Sequence, residues 1–151
     1  MNLDEATLDF ISGPVLLMAC ATDGDRRPAI GRAMGVIVQA PDTLDLIVSR
    51  WQWPQLVANA ASSARLALTA SRASDYVTYQ VKGSALVRDA GAAELDAARH
   101  YHAAISEELG RGNVPAWISG QWAADREMVT LILSVAEAYV QTPGPRAGTS
   151  L

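Results

Sequence analysis

The sequence predicts a mainly β protein, a small antiparallel β-barrel with peripheral helices, and three observations carry that expectation. Six segments of alternating or continuously apolar character are separated by short turn signals, the pattern of strands joined by hairpins. One of them, residues 76–88, is unusually long and is interrupted by Gly83, as strands are where a barrel turns a corner. A single substantial helical period, residues 92–109, is inserted before the last strand.

In chain order, Asn2 with Glu5 three residues later forms a capping-box-like start. Leu3, Phe10 and Ile11 then give a short helix its apolar stripe, and Gly13-Pro14 stops it. Residues 15–22 run continuously apolar to the turn Asp23-Gly24-Asp25, and Arg27-Pro28 leads into a second strand over 29–39, so the pair reads as a β-hairpin. Pro41-Asp42 marks the next turn, and residues 44–48, Leu-Asp-Leu-Ile-Val, form a third strand. Pro54 suits the first position of a short helix whose apolar face is Leu56, Val57 and Ala60. Residues 64–69 alternate as a fourth strand and 76–88 as a fifth. Leu95, Ala98, His102, Ile105 and Leu109 fall on one helical stripe, with Gly110 as the stop. Residues 113–125 lack a clean period and read as loop with at most a helical turn, and 128–140 is the final strand. The tail, 142–151, has the Pro-, Gly- and Ser-rich composition of a disordered segment, which a second subunit would serve to hold down. The expected organisation is one domain over 1–141 and a tail over 142–151.

Composition narrows the function. With 151 residues, half of them hydrophobic, the chain can bury a core without disulfides or structural metal. The net charge is −4 and the twelve basic residues are scattered, which provides no footprint for a nucleic acid backbone. Cys20 is the only cysteine and lies in an apolar run, so its thiol is expected to be inert and the compartment reducing. An acidic start and the absence of a span-length apolar run point to a cytoplasmic protein away from the membrane. His100 and His102, two apart on a helix, face different directions and make no paired zinc ligand, so no metal site is expected. Asp4, Asp9, Asp23, Asp25, Asp42 and Asp45 fall at caps, turns and strand edges, their ordinary places, and no two of them stand out as an acid and base.

Four pieces then carry a resemblance: residues 15–28 as an opening hairpin, Gly31-Arg32-Ala33-Met34-Gly35, Leu56-Val57-Ala58-Asn59 ahead of a strand, and Tyr79-Gln80-Val81-Lys82-Gly83-Ser84-Ala85. In that order and spacing, from Leu3 to Tyr139, the chain resembles the pyridoxamine 5′-phosphate oxidase-like, FMN-binding split barrels. The resemblance implies a homodimer that holds FMN between two barrels and an FMN-dependent oxidoreductase or flavin carrier acting on a small molecule. It places Arg32 on the phosphate, where a guanidinium's rigid fork of donors suits a tetrahedral anion. It brings Ser49, Arg50 and the adjoining Trp51-Gln52 to the same cofactor, with Trp51 or Trp53 as a wall. Gln80 and Lys82, two apart on one strand face, are assigned to the ring edge, and Lys82 is the only lysine in the chain. Many relatives carry a phosphate-binding lysine just after the third strand, where this chain has Trp51-Gln52-Trp53. A split barrel that serves as a binding module without flavin is therefore the competing expectation.

Overall fold

Period-two alternation builds the sheet. In β1 (Leu16–Thr22), Leu17, Ala19 and Ala21 are buried, whereas Met18 between them is exposed. The same alternation recurs in β5 (Arg65–Ser71), where Leu66, Leu68 and Ala70 point inward. The computed structural model describes all residues, 1–151, and contains seven antiparallel strands in the order β2-β1-β5-β6-β7-β4-β3. The remaining strands are β2 (Pro28–Arg32), β3 (Val36–Ala40), β4 (Thr43–Ser49), β6 (Thr78–Asp89) and β7 (Met128–Val140). Helices α1 (Glu5–Ser12), α2 (Pro54–Ser63), α3 (Ala92–Arg111) and α4 (Ala116–Gly120) are peripheral.

Six strands were expected, and the seventh has one cause. The segment read as a single strand over 29–39 changes partner midway: β2 pairs with β1, and β3 pairs with β4. The backbone N–H of Ala33 still donates to Leu17 O at 3.1 Å, but that of Met34 donates to Ile47 O at 2.7 Å. Because β2 and β3 are the two edges of the sheet, this switch closes the barrel. Gly35 permits it, with φ +130° and Tyr101 Cβ only 3.3 Å from where a Cβ would stand.

Gly83 marks a bend, as its position in the sequence suggests. Lys82 pairs with Glu137 but Gly83 pairs with Val135, which leaves Ala136 as the extra residue of a bulge in β7. A Cβ on Gly83 would lie 1.8 Å from Ser134 O, so the two strands approach too closely for any side chain.

The barrel interior is filled by Leu17, Leu44, Leu46, Leu68, Leu131 and Leu133, none more than 1% exposed. α2 packs on β1, β2 and β6. α3 packs over β3 and β4 on the outside, so β4 is buried on both faces: Leu46 and Val48 look inward, while Asp45, Ile47 and Ser49 look out beneath the helical layer. Asp45, expected at a strand edge, is thus buried. Its carboxylate accepts from Arg88 Nη2 at 2.8 Å and Gln39 Nε2 at 3.0 Å. Arg88 also pairs with Glu94, which in turn accepts the Gly91 N–H at the start of α3 at 2.9 Å. Hydrogen bonding to Arg88 holds the Glu94 carboxyl below the usual carboxylate range.

Two caps differ from expectation. Asp4 rather than Asn2 caps α1, accepting the Thr7 N–H at 2.8 Å. α3 runs through Gly110 to Arg111 and is capped by Gly112. The tail is held by its own chain: Gly148 N–H donates to Val140 O at 2.8 Å and Leu151 N–H to Ala138 O at 3.0 Å, laying the C-terminus along the free side of β7. No helix is long and apolar enough to cross a membrane.

Candidate functional site on the outer sheet face

Cross-strand register places three of the sequence-predicted residues on one face. Arg32 pairs with Met18, Met18 with Thr69, Thr69 with Gln80 and Gln80 with Tyr139. Paired residues share a face, and Met18 is outward, so Arg32 and Gln80 stand in one row on the barrel's exterior. Three interstrand spacings separate them, about 14 Å. The next row reads Ile30, Cys20, Ala67, Lys82 and Glu137. Over that row lies a groove of about 560 Å³, floored by Cys20 and Ala67 and bordered by Arg65, Lys82 and Glu137. Its size falls in the range of ligand sites, roughly 300–1,000 Å³.

Both cations of these rows are free of carboxylates. The Arg32 guanidinium lies 3.8 Å from the centroid of the Trp122 ring and forms no ion pair or hydrogen bond within the chain. A stacked guanidinium keeps its in-plane donors available. Its positive charge is felt by the nearby Tyr101 hydroxyl, although burial is the larger effect there and pushes that pKa up. Tyr101 in turn donates to Val15 O at 2.7 Å, which fixes α3 to the barrel beside Arg32. Lys82 Nζ is 4.8 Å from the Tyr139 ring centroid. Its cross-strand neighbour Glu137 is engaged by the Tyr139 hydroxyl at 2.6 Å, a bond that also raises the Tyr139 pKa. Gln80 Nε2 donates to Thr69 Oγ1 at 3.0 Å, leaving its carbonyl oxygen as an acceptor on the face.

The residues after β4 gather around a different element, the segment from Gln121 to Glu127. Ser49 is fully buried; its hydroxyl donates to Arg126 O at 2.9 Å and accepts the Gln52 N–H at 3.2 Å, so it fastens the corner between β4 and α2. Gln52 Nε2 donates to Gln121 O at 3.3 Å. Trp51 is 53% exposed, with Arg126 placed 5.1 Å over its ring. Arg50 pairs with Asp89 at 3.6 Å, both side chains being exposed. Trp53 points inward: a Cβ on Gly31 would be 2.6 Å from its ring, and it packs on the barrel core. The two tryptophans of the motif thus divide, one structural and one exposed.

Sequence reasoning missed the segment 121–127 as the common partner of Arg32, Ser49, Trp51 and Gln52. Trp122 and Arg126 were the only signals, and neither has a periodic neighbour to place it. No group of three or more His, Cys, Asp and Glu side chains is gathered in a way that could hold a metal ion. His102 is bonded to Ser119 O at 3.2 Å, and His100 is exposed. Burial pushes the Cys20 thiol pKa up, away from the reactive thiolate.

No protein-family model matches the chain, and no curated protein sequence matches it. Solved structures do. HupZ of Group A Streptococcus superposes with a TM-score of 0.60 at 17% identity, covering 97% of this chain and 99% of that one. An F420 reductase gives a TM-score of 0.60 at 10% identity, covering 90% and 98%. A candidate pyridoxamine 5′-phosphate oxidase from Lactobacillus delbrueckii gives 0.58 at 14% identity, covering 92% and 94%. At these identities the likeness establishes the fold, a pyridoxamine 5′-phosphate oxidase-like split barrel.

Proposed function

We propose that the chain is a homodimeric flavin-binding protein, holding FMN against the outer face of the sheet and serving as a flavin-dependent oxidoreductase on a small substrate. The observation that carries this reading is the alignment of an unpaired Arg32 with Gln80 in one row, beside a groove bordered by the unpaired Lys82. The residues fit such a cofactor: a stacked guanidinium with free donors for a phosphate, a small-residue floor for a planar ring, and an amide and an ammonium for the ring's polar edge. When bound, the flavin supplies hydride or electron transfer, and the protein supplies binding, orientation and charge. Lys82, with its positive charge, favours negative charge at the pyrimidine edge of the ring, and Trp51 offers an exposed wall beside the Arg126 guanidinium. Arg50 takes part only by releasing its exposed Asp89 partner, a pair worth at most about 1 kcal/mol. Ser49 supports the site through the corner it ties.

The proposed dimer would form through the outer surface of the barrel. Met18 and Ile30, in adjacent rows of the groove face, are 36% and 56% exposed, and Leu86, beyond the Gly83 bend, is 70% exposed, apolar side chains that a second copy would cover. The competing reading, a flavin-free binding module, draws on Arg32: a guanidinium stacked on Trp122 also serves a purely structural purpose. Titration of the purified protein with FMN separates the two. Saturable quenching of flavin fluorescence at roughly micromolar concentration supports the flavoprotein, and no saturation in that range overturns it.

A further inference from the structure

A second cavity lies away from the groove, between α3 and the segment before β7. It encloses about 310 Å³, at the small end of ligand sites, and its apolar wall is made by Met34, Leu95, Ala98 and Met128. Three polar side chains stand on it: Arg99, His102 and Asp125. Arg99 and Asp125 are exposed, and neither forms an ion pair or a side-chain hydrogen bond within the chain, not even with each other. His102 is half-buried and uses Nε2 on Ser119 O at 3.2 Å, which in the neutral ring leaves Nδ1 as an acceptor. Thr130 Oγ1, two residues along β7 from Met128 and on the same strand face, is the one buried side-chain polar atom without a partner.

An apolar pocket with an unpaired cation and an unpaired anion on its border has the chemistry of a zwitterion site. We infer that this cavity binds a small apolar α-amino acid, its side chain against Met34 and Met128, its carboxylate on Arg99 and its ammonium on Asp125 and His102. A simple fatty or aromatic acid satisfies Arg99 but leaves the carboxylate of Asp125 facing a second anion. A simple amine has the converse defect with Arg99. The inference stands apart from the cofactor reading, because no part of it uses the groove or a flavin.

The four methionines provide the test. With methyl-¹³C-methionine labelling, Met34 and Met128 report on the cavity, while Met1 and Met18, exposed and outside it, are internal controls. Titration of the full chain with L-leucine is expected to shift the Met34 and Met128 methyl signals saturably and leave the other two in place. Isovalerate and isopentylamine, each keeping one charge, are expected to need at least about tenfold higher concentration, the equivalent of about 1.4 kcal/mol. Arg99→Ala, an exposed substitution that leaves the fold intact, should cost leucine a similar factor and strengthen isopentylamine by removing the like charge; Asp125→Asn should do the converse with isovalerate. Unmoved Met34 and Met128 signals at tens of millimolar leucine, or equal affinity for the single-charge analogues, would overturn the inference.

Discussion

Replacing Arg88 by leucine tests how α3, which carries both Tyr101 and the second cavity, is seated on the barrel. Arg88 is the only cation meeting the carboxylates of Asp45, 3% exposed in its side chain, and Glu94, 10% exposed. Removing one partner of a fully buried pair costs about 3–5 kcal/mol because the other charge is left uncompensated. Arg88 is itself 40% exposed, so solvent already screens part of the interaction and the loss is smaller than for a fully buried pair. For a chain of this length each kcal/mol lost lowers Tm by roughly 2–4 °C, so a fall of several degrees is expected. The pH dependence has a definite sign. Glu94 has a depressed folded-state pKa, so its contribution is present above the ordinary value of 4.5 and is lost as pH falls through the lower folded value. Thermal unfolding followed by circular dichroism should therefore show the full gap between native protein and Arg88→Leu at pH 7 and a narrowing gap as pH falls below the ordinary carboxylate range. A Tm change under about 2 °C at pH 7, or a gap that does not narrow in acid, would refute this account of how α3 is held.

Other consequences are more quickly stated. Gly83→Ala places a Cβ 1.8 Å from a backbone oxygen and should destabilise the protein by about 1–3 kcal/mol or more, read as a lower urea midpoint. Trp53→Ala should cost about 2–3 kcal/mol because its ring packs on Gly31 and the core, while Trp51→Ala should stay within about 0.5 kcal/mol; equal effects would contradict the division of the two tryptophans. Leu86→Asp, on a side chain 70% exposed, should convert a dimer to monomer by light scattering without lowering the Tm of the monomer.

Much of the barrel was legible because its signals are local. The alternation in 64–69, the glycine at 83 and the stripe from Leu95 to Leu109 each declare an element without reference to the rest of the chain. The division of 29–39 was not legible, since the change of partner at Ala33 and Met34 is a decision of the closed sheet and only Gly35 hints at it. Asp45 looked like a strand-edge carboxylate because nothing near it in sequence reveals that α3, some fifty residues later, covers that side of β4. The tail composition pointed to disorder, yet backbone hydrogen bonds to β7 hold it, and these do not depend on side-chain type. At the candidate site, the shared face of Gln80 and Lys82 follows from spacing alone, whereas their alignment with Arg32 requires the register across four strands. The corner SRWQWPQL needed contacts to be understood: its serine and one tryptophan hold the turn, and its other tryptophan remains on the surface.

The central claim is that Arg32 grips a phosphate at one end of a row whose other end meets the flavin ring. Parallel titrations with FMN and with riboflavin, which lacks the phosphate, test it directly in the native protein and in Arg32→Ala. Charge-assisted hydrogen bonds contribute about 1.5–3 kcal/mol each, so the substitution should weaken FMN binding by at least about tenfold. Riboflavin affinity should be the same in both proteins. Equal FMN affinity with and without Arg32, or the same loss for riboflavin as for FMN, would contradict the account.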